Sequence, residues 1–218
     1  MSTPTSSGSA PTGAPEARLV LATHNAHKLG ELRAILAPEL PDLDPATVVG
    51  ARDVGAPEPV EDGVTFAENA LIKARALCLA TGLPAVADDS GLSVDVLGGA
   101  PGIFSARWAG RHGDDRANLD LLLAQLGDIA PEHRAARFTC AAALVTPDGT
   151  EVVQTGHLVG TLATAPRGEG GFGYDPILVP DGGTRTCAEL TAEEKNAVSH
   201  RGQAFRALVP AVVAALRR

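Results

Sequence analysis

The chain has 218 residues, of which 44% are hydrophobic and 3% aromatic, and its formal net charge is −8. This length supplies a core for one domain or for two lobes that share a sheet. The negative charge disfavours nonspecific binding to nucleic acid or to an anionic membrane. Because no apolar run approaches the roughly 20 residues that span a bilayer, we expect neither nucleic acid nor a membrane among the partners.

The N-terminal composition and the cysteines indicate the domain limits and the location. Residues 1–16 are nearly all Ser, Thr, Pro, Gly and Ala, and such a composition cannot bury a core. We predict a disordered tail at 1–16, without the features of a secretory signal, and a single two-lobed domain at 17–218. The three cysteines have no CxxC spacing, which indicates reduced, buried thiols in a cytoplasmic protein.

The first predicted strand, 18–23, leads through a polar loop into a helix with apolar residues at 29, 32, 35 and 36. Asn25 and Lys28 then lie at a helix N-terminus, where free N–H groups and the helix dipole favour an anion. Lys28 would add a point charge for a phosphate oxygen. The spaced glycines of a Walker A loop are absent, and the alternative interpretation is an ordinary solvated helix start.

The segment from 38 to about 80 predicts a short strand at 47–49 and a helix. Thr65 and Glu68 have capping-box spacing, so the helix begins there and extends to about residue 80. Glu68 and Lys73 have default roles as a cap and as part of a solvated face. An acidic cluster precedes the helix and consists of Glu58, Glu61 and Asp62.

The apolar run 83–87 predicts a buried strand that ends at two adjacent carboxylates, Asp88 and Asp89, followed by Ser90. In an open α/β sheet the ligand crevice lies at such a strand end. Adjacent carboxylates repel each other unless a cation lies near them, and Mg²⁺ with oxygen ligands is the obvious candidate. Alternatively, these residues only form a turn and cap the next element.

The second half predicts a helix over 114–127 and a hairpin of two β-rich runs, 138–145 and 151–162. The loop at 168–176 is rich in glycine, which allows close approach of a ligand to its backbone. Phe172 and Tyr174 offer flat faces to a nucleobase. The alternative is a surface loop whose two rings face the core.

Two helices are predicted at the C-terminus. Thr191 and Glu194 form a second capping box, and we expect this helix to end near 199–202. The last helix has strong apolar periodicity, with Pro210 predicted to bend it. A basic group, Lys195 with the pair at 200–201, is predicted to follow a helix. By itself, such a group is usually a solvated helix end. The order of elements predicts an α/β protein with a mixed sheet.

Six motifs occur in a specific order along the chain. They are Thr23-His24-Asn25-Ala26-His27-Lys28, Thr65-Phe66-Ala67-Glu68-Asn69-Ala70, Ala87-Asp88-Asp89-Ser90-Gly91-Leu92, Gly98-Gly99-Ala100-Pro101-Gly102, Gly171-Phe172-Gly173-Tyr174-Asp175-Pro176 and Ser199-His200-Arg201-Gly202. From about Arg18 onward the chain resembles the Ham1/RdgB-type inosine (non-canonical purine) triphosphate pyrophosphatases. The resemblance implies a homodimer with a long mixed central sheet and two lobes flanking a nucleotide-binding cleft. It also implies Mg²⁺-dependent hydrolysis of ITP, dITP and XTP to the monophosphate and pyrophosphate, which cleanses the nucleotide pool.

The same resemblance assigns roles motif by motif. It makes Asp89 the general base and a metal ligand, Glu61 a second metal ligand, and Asp88 a supporting residue. The implied substrate-binding residues are Thr23, His24, Asn25, Ala26, His27, Lys28, Ser90, Phe172, Gly173, Tyr174, Asp175, Lys195, His200 and Arg201. One departure is His24, where many family members have Gly.

An acidic pair facing a cationic loop suggests a mechanism. We expect Asp89 to activate water for in-line attack at the α-phosphorus, with Mg²⁺ on the phosphates and Lys28 at the leaving pyrophosphate. Donors near Arg201 match the 6-oxo group of a purine and oppose the 6-amino group of adenine. GTP also has a 6-oxo group, so its 2-amino group must be rejected elsewhere.

Two rival hypotheses remain. The first is a phosphohydrolase that releases phosphate stepwise, although the haloacid-dehalogenase type requires Asp-x-Asp and this chain has adjacent aspartates. The second is a regulatory module that binds a nucleotide without turnover.

Overall fold

The computed structural model describes residues 16–23, 26–56 and 58–217, with backbone only at 26–28 and 31. The tail predicted at 1–16 therefore lies, apart from Glu16, outside the described residues. Within the described ranges, no helix has both the length and the apolar character needed to cross a bilayer. Cys78, Cys140 and Cys187 are buried thiols, as predicted.

Six strands form one sheet, in the order β2-β1-β3-β4-β5-β6. The strands are β1 (Leu19–Leu21), β2 (Val48–Gly50), β3 (Ala85–Val94), β4 (Ala135–Val145), β5 (Glu151–Leu162) and β6 (Leu178–Pro180). β1 runs parallel to β2 and β3, and the other neighbours are antiparallel. The predicted mixed sheet and the α/β class are confirmed. β6 is missing from the sequence prediction.

The described residues contain five α-helices beside the sheet. They are α1 (Ala26–Leu36), α2 (Phe66–Thr81), α3 (Asp115–Gln125), α4 (Ala192–Val198) and α5 (His200–Leu216). The capping boxes predicted at Thr65 and Thr191 both form. α2 ends at Gly82, whose φ of 68° is a left-handed conformation that glycine adopts without strain.

The predicted end of the fourth helix, near 199–202, is confirmed: α4 ends at Val198 and Ser199 is its C-cap. Ser199 has extended backbone and begins the next helix by accepting a hydrogen bond from Gly202 N at 3.0 Å. The predicted basic group after a helix end is corrected, because Lys195 lies within α4 and the pair at 200–201 forms the first turn of α5. Both side chains are thereby carried by a 17-residue helix that packs on the sheet.

Three hydrophobic clusters cover the sheet. Two lie on opposite faces of the first part of β3, one with α1 and α5 and the other with α2. The third joins α3 to the far part of β3 and β4. The residues that β3 contributes are Val86 to the first, Ala85 and Ala87 to the second, and Leu92 and Val94 to the third. Residues 88–91 belong to none of them, so the polar part of β3 lies where the clusters meet.

Asp88 and Asp89 lie inside a strand, which corrects the prediction that the strand ends before them. β3 continues to Val94 because it pairs with β4 at every position from 85 to 94. The alternative prediction of a turn at these residues is also wrong. Neighbouring residues of a strand point to opposite faces, so the sheet separates the two carboxylates.

The other edge of β3 is only partly covered. β1 ends opposite Val86, since its last paired residue is Leu21. Among the described residues, the next backbone partner along this edge is Pro101, in an isolated bridge with Ser93. Between these points, the described residues place no backbone hydrogen-bond partner on this edge, which includes the two aspartates.

Gly91 allows a neighbouring segment to pack against β3. A Cβ atom there would lie 2.5 Å from Ser105 Oγ and 2.6 Å from the carbonyl oxygen of Gly102. Ser105 Oγ accepts a hydrogen bond from Leu92 N at 2.9 Å, so it cannot move away without cost.

We expect Gly91→Ala to lower the free energy of unfolding by about 2 kcal/mol, because the added methyl group overpacks this contact. Gly30→Ala is the matched control, since a Cβ atom there meets nothing within 4 Å. In a helix that change stabilises by about 0.5–1 kcal/mol. Denaturant unfolding measures both variants, and a Gly91→Ala protein as stable as the wild type would contradict the packing argument.

Candidate active site

A carboxylate–lysine cluster lies on the α2 face of β3. Lys73 Nζ is 3.4 Å from Asp89 Oδ1 and 3.2 Å from Glu61 Oε1. Asn69 Nδ2 donates a hydrogen bond to Asp89 Oδ2 at 3.2 Å. Asn69 and Lys73 are four residues apart, so α2 presents both side chains on one face. We call Glu61, Asn69, Lys73 and Asp89 the Lys73 cluster.

Asn69 also connects this cluster to the loop that carries Glu61. Its Oδ1 accepts a hydrogen bond from Gly63 N at 2.9 Å, and its side chain is almost fully buried. Glu68, in contrast, accepts from Val64 N and Thr65 N and serves as the helix cap, as predicted. The amide of Asn69 thus holds the Glu61 loop and Asp89 in one arrangement.

Burial and charge act in opposite directions on both ionisable groups at the centre of the cluster. Burial raises the pKa of Asp89 above its ordinary value, and Lys73 offsets only part of this effect. Burial by itself lowers the pKa of Lys73, but Asp89, Glu61 and Asp88 outweigh it, so the pKa of Lys73 is raised. Lys73 therefore stays an ammonium ion, and Asp89 accepts a proton more readily than an exposed aspartate does.

The donor set of the cluster fits Mg²⁺. Glu61 and Asp89 each form an ion pair with Lys73 Nζ, so both carboxylates already face a cation. Among the described residues, no group of three or more potential metal-ligating side chains occurs. Mg²⁺ is commonly held by one or two carboxylates together with substrate phosphates, and these two carboxylates meet that requirement.

A second ion pair lies on the α5 face of β3. Arg201 Nε donates to Asp88 Oδ2 at 3.2 Å, and its Nη2 donates to Ser90 Oγ at 3.3 Å. The Asp88 side chain is fully buried and that of Arg201 is 12% exposed. Asp88 therefore pairs with Arg201 and does not face the Lys73 cluster, and its predicted supporting role stays a prediction.

A cavity of about 670 Å³ adjoins this second ion pair. Such a volume lies within the range of about 300–1,000 Å³ that is typical of small-molecule sites. Gly30 and Ala34 of α1 contribute to its wall. The structure brings together in this wall the predicted residues Ser90, Phe172, Gly173, Tyr174, Asp175, Lys195, His200 and Arg201.

The two aromatic rings of the glycine-rich loop have different surroundings. Phe172 is 59% exposed, and Lys195 Nζ lies 5.2 Å from the centre of its ring. Tyr174 borders the cavity but is buried in the core, and its hydroxyl group donates to Ser105 O at 2.9 Å. The sequence analysis expected both rings to offer a flat face to a nucleobase. The structure corrects this expectation for Tyr174, which is buried, whereas Phe172 has an exposed ring.

The polar groups around this loop are held by neighbours. Asp175 accepts from Phe172 N at 2.7 Å and forms an ion pair with Lys195. The His200 ring stacks on Phe138, with the ring centres 5.1 Å apart. Cations and rings on one wall of the cavity are therefore fixed in position.

The predicted phosphate loop is described only in part. Thr23 follows β1, and its backbone N donates to Leu21 O at 2.7 Å. His24 and Asn25 lie outside the described residues, as do the side chains of Ala26, His27 and Lys28. Their predicted phosphate contacts stay predictions.

Asn69 and Asp115 are absent from the predicted site residues, and Lys73 was predicted by default as part of a solvated face. Asn69 and Lys73 lie on the capped α2 helix among apolar residues, and their spacing of four was the available signal. Asp115 lines the cavity from α3, far from the glycine-rich loop in sequence, and nothing local distinguishes it from a residue that favours a helix start.

A partly buried carboxylate–lysine cluster on one face of a strand and a cation-lined cavity on the other define an α/β enzyme. The chain belongs to the Ham1 family, whose model matches residues 19–211. A dITP/XTP pyrophosphatase from Streptomyces coelicolor is 72% identical over 197 residues, which cover 89% of this chain and 96% of the relative. Another dITP/XTP pyrophosphatase, from Corynebacterium efficiens, is 55% identical, and the match covers 89% of this chain and 97% of the relative.

Solved structures agree with the fold. A nucleoside-triphosphatase, dITP/XTP pyrophosphatase, from Mycobacterium abscessus has a TM-score of 0.74 at 55% identity, over 88% of this chain and 99% of its own. A HAM1 protein from Coxiella burnetii has a TM-score of 0.81 at 40% identity, over 91% of this chain and 100% of its own.

We expect Asp88→Ala to lower the free energy of unfolding by about 3 kcal/mol, because it removes the carboxylate beside the buried guanidinium of Arg201. Asp120→Ala is the control, since Asp120 pairs with Arg116 on the exposed face of α3. Loss of such an exposed ion pair lowers the free energy of unfolding by about 0.5 kcal/mol or less. Equal losses in the two variants, measured by denaturant unfolding, would contradict the importance of the buried pair.

Proposed function

We propose that this protein hydrolyses the non-canonical purine nucleoside triphosphates ITP, dITP and XTP to the monophosphate and pyrophosphate. One observation carries the proposal: the open edge of β3 lies between a proton acceptor, Asp89, on one face and a cation-lined cavity on the other. The relatives from Streptomyces coelicolor and Corynebacterium efficiens, both dITP/XTP pyrophosphatases, support the same activity. The reaction cleanses the nucleotide pool.

The nucleoside fits the cavity by its chemistry. The open face of Phe172 suits stacking of a purine, worth about 1–3 kcal/mol per base in other proteins. Lys195, His200 and Arg201 supply donors in the same wall. A 6-oxo purine pairs its acceptor with these donors, whereas the 6-amino group of adenine leaves buried donors unpaired, at about 1–3 kcal/mol per group.

The triphosphate would then cross the open edge of β3 toward the Lys73 cluster. Asp89 takes the proton of a water molecule that attacks the α-phosphorus in line, and Asn69 holds the carboxylate in orientation. Lys73 contributes a fixed positive charge beside the reacting phosphate. Mg²⁺ held by Glu61 and Asp89, when bound, neutralises charge on the phosphate oxygens. Lys28 would act at the leaving pyrophosphate.

Three further properties belong to this proposal. Mg²⁺ is the proposed metal because its usual ligands are carboxylates and phosphate oxygens. A homodimer follows from the family resemblance alone. A cytoplasmic location is supported by three buried thiols, since reduced cysteines are typical of that compartment.

The experiment that tests the proposed function measures kcat/KM for ITP, XTP and dITP beside ATP and GTP, with pyrophosphate and orthophosphate assayed separately. We expect pyrophosphate as the product and at least about a tenfold preference for ITP over ATP. Equal kcat/KM for ITP and ATP would overturn the selectivity argument. Orthophosphate would favour the stepwise phosphohydrolase, and binding without product would favour the regulatory module.

We expect Asp89→Asn to lower kcat for ITP by a factor of about 100 to 10,000, because an amide cannot accept the proton from water. Affinity for the nucleotide should change little, as the amide has nearly the same shape. Asp95→Asn is the matched control, because Asp95 pairs with Arg137 on the surface. Steady-state assays and equilibrium binding measure both, and near-normal turnover of Asp89→Asn would remove Asp89 from this role.

A further inference from the structure

The exposed ring of Phe172 is carried by a tight turn, residues 172–175. Asp175 N donates to Phe172 O at 3.1 Å, and Phe172 N donates to the Asp175 carboxylate at 2.7 Å. Gly173, inside this turn, has a φ of 59°, in the left-handed region that glycine adopts freely. The turn is thus closed by its own hydrogen bonds, and its orientation depends on the contacts it makes elsewhere.

Two hydrogen bonds attach this turn to the segment 105–115. The Tyr174 hydroxyl donates to Ser105 O at 2.9 Å from within the core. Gly173 N donates to Asp115 Oδ2 at 3.0 Å across the rim of the cavity. Asp115 also lines the cavity, so its contact with the turn lies at the proposed nucleoside site.

The two adjacent aspartates at the start of α3 have separate tasks. Asp114 is the N-cap, and its carboxylate accepts from Ala117 N at 3.1 Å. Asp115 is the first helical residue and directs its carboxylate away from the helix, to the amide of Gly173. A hydrogen bond from an amide to a carboxylate is stronger than one between neutral groups.

We infer that Asp115 is a positioning residue for the nucleoside. By accepting the hydrogen bond from Gly173 N, it sets the orientation of the turn 172–175 and hence the position of the Phe172 ring beside Lys195. Asp115 itself does not take part in the chemistry at Asp89. This inference rests on the proposed function, in which Phe172 stacks on the purine.

The test compares Asp115→Ala, Asp115→Asn and Asp114→Ala in the full chain with ITP as substrate. Asp115→Ala should raise KM about fivefold with kcat within about twofold, because the loop anchor is worth about 1 kcal/mol at an exposed site. Asp115→Asn keeps an acceptor oxygen and should restore KM to within about twofold. Asp114→Ala removes the helix cap, so it should lower the melting temperature with KM unchanged.

A second measurement does not depend on the proposed function. Hydrogen–deuterium exchange of the ligand-free protein should become faster over residues 168–175 in Asp115→Ala and stay at the wild-type rate there in Asp115→Asn. In Asp114→Ala the faster exchange should lie at the start of α3. If the wild type fails to hydrolyse ITP, the proposed function falls, and exchange still decides whether Asp115 anchors the turn.

The inference is overturned by any of three results. If Asp115→Ala has wild-type exchange and wild-type KM, Asp115 does not anchor the turn. Asp115→Asn as impaired as Asp115→Ala would show that charge, and not acceptance of the backbone hydrogen bond, matters. Asp114→Ala with the same rise in KM would assign the effect to folding of α3.

Discussion

Asp88 and Asp89 are neighbours in sequence but lie on opposite faces of β3, because side chains alternate along a strand. A buried carboxylate costs several kcal/mol unless a cation and hydrogen bonds compensate for the lost water. Each aspartate has its own cation: Arg201 from α5 for Asp88, and Lys73 from α2 for Asp89. The positions of both helices on the sheet are therefore tied to one dipeptide in the middle of a strand.

The short β1 strand turns this arrangement into a site. Because β1 ends opposite Val86, no described residue pairs its backbone with the edge of β3 beside the two aspartates, and we propose that one ligand reaches both faces there. The cavity lies on the face of Arg201, and the proton acceptor lies on the face of Lys73. An elongated, anionic molecule with a flat end matches that layout, and a purine nucleoside triphosphate has this shape and charge.

Much of the fold could be predicted from the sequence, because caps, periodicity and the hairpin are local features. The continuation of β3 past Asp89 could not, since it depends on pairing with β4, about fifty residues later in the chain. Ordered motifs predicted the cavity residues around Phe172 and Arg201, whereas composition alone did not distinguish them. The sequence predicted Lys73 as part of a solvated helix face, and only the packing of α2 against β3 shows that it is partly buried and paired with two carboxylates.

Hydrolysis of ITP in ¹⁸O-labelled water, followed by ³¹P NMR of the products, tests the central claim most directly. The label identifies the phosphorus atom that water attacks. In our account, Asp89 activates water for attack at the α-phosphorus. Our account predicts ¹⁸O in the phosphate of IMP and none in pyrophosphate. Label in pyrophosphate, or labelled orthophosphate with IDP, would contradict it, because water would then have attacked the β- or the γ-phosphorus.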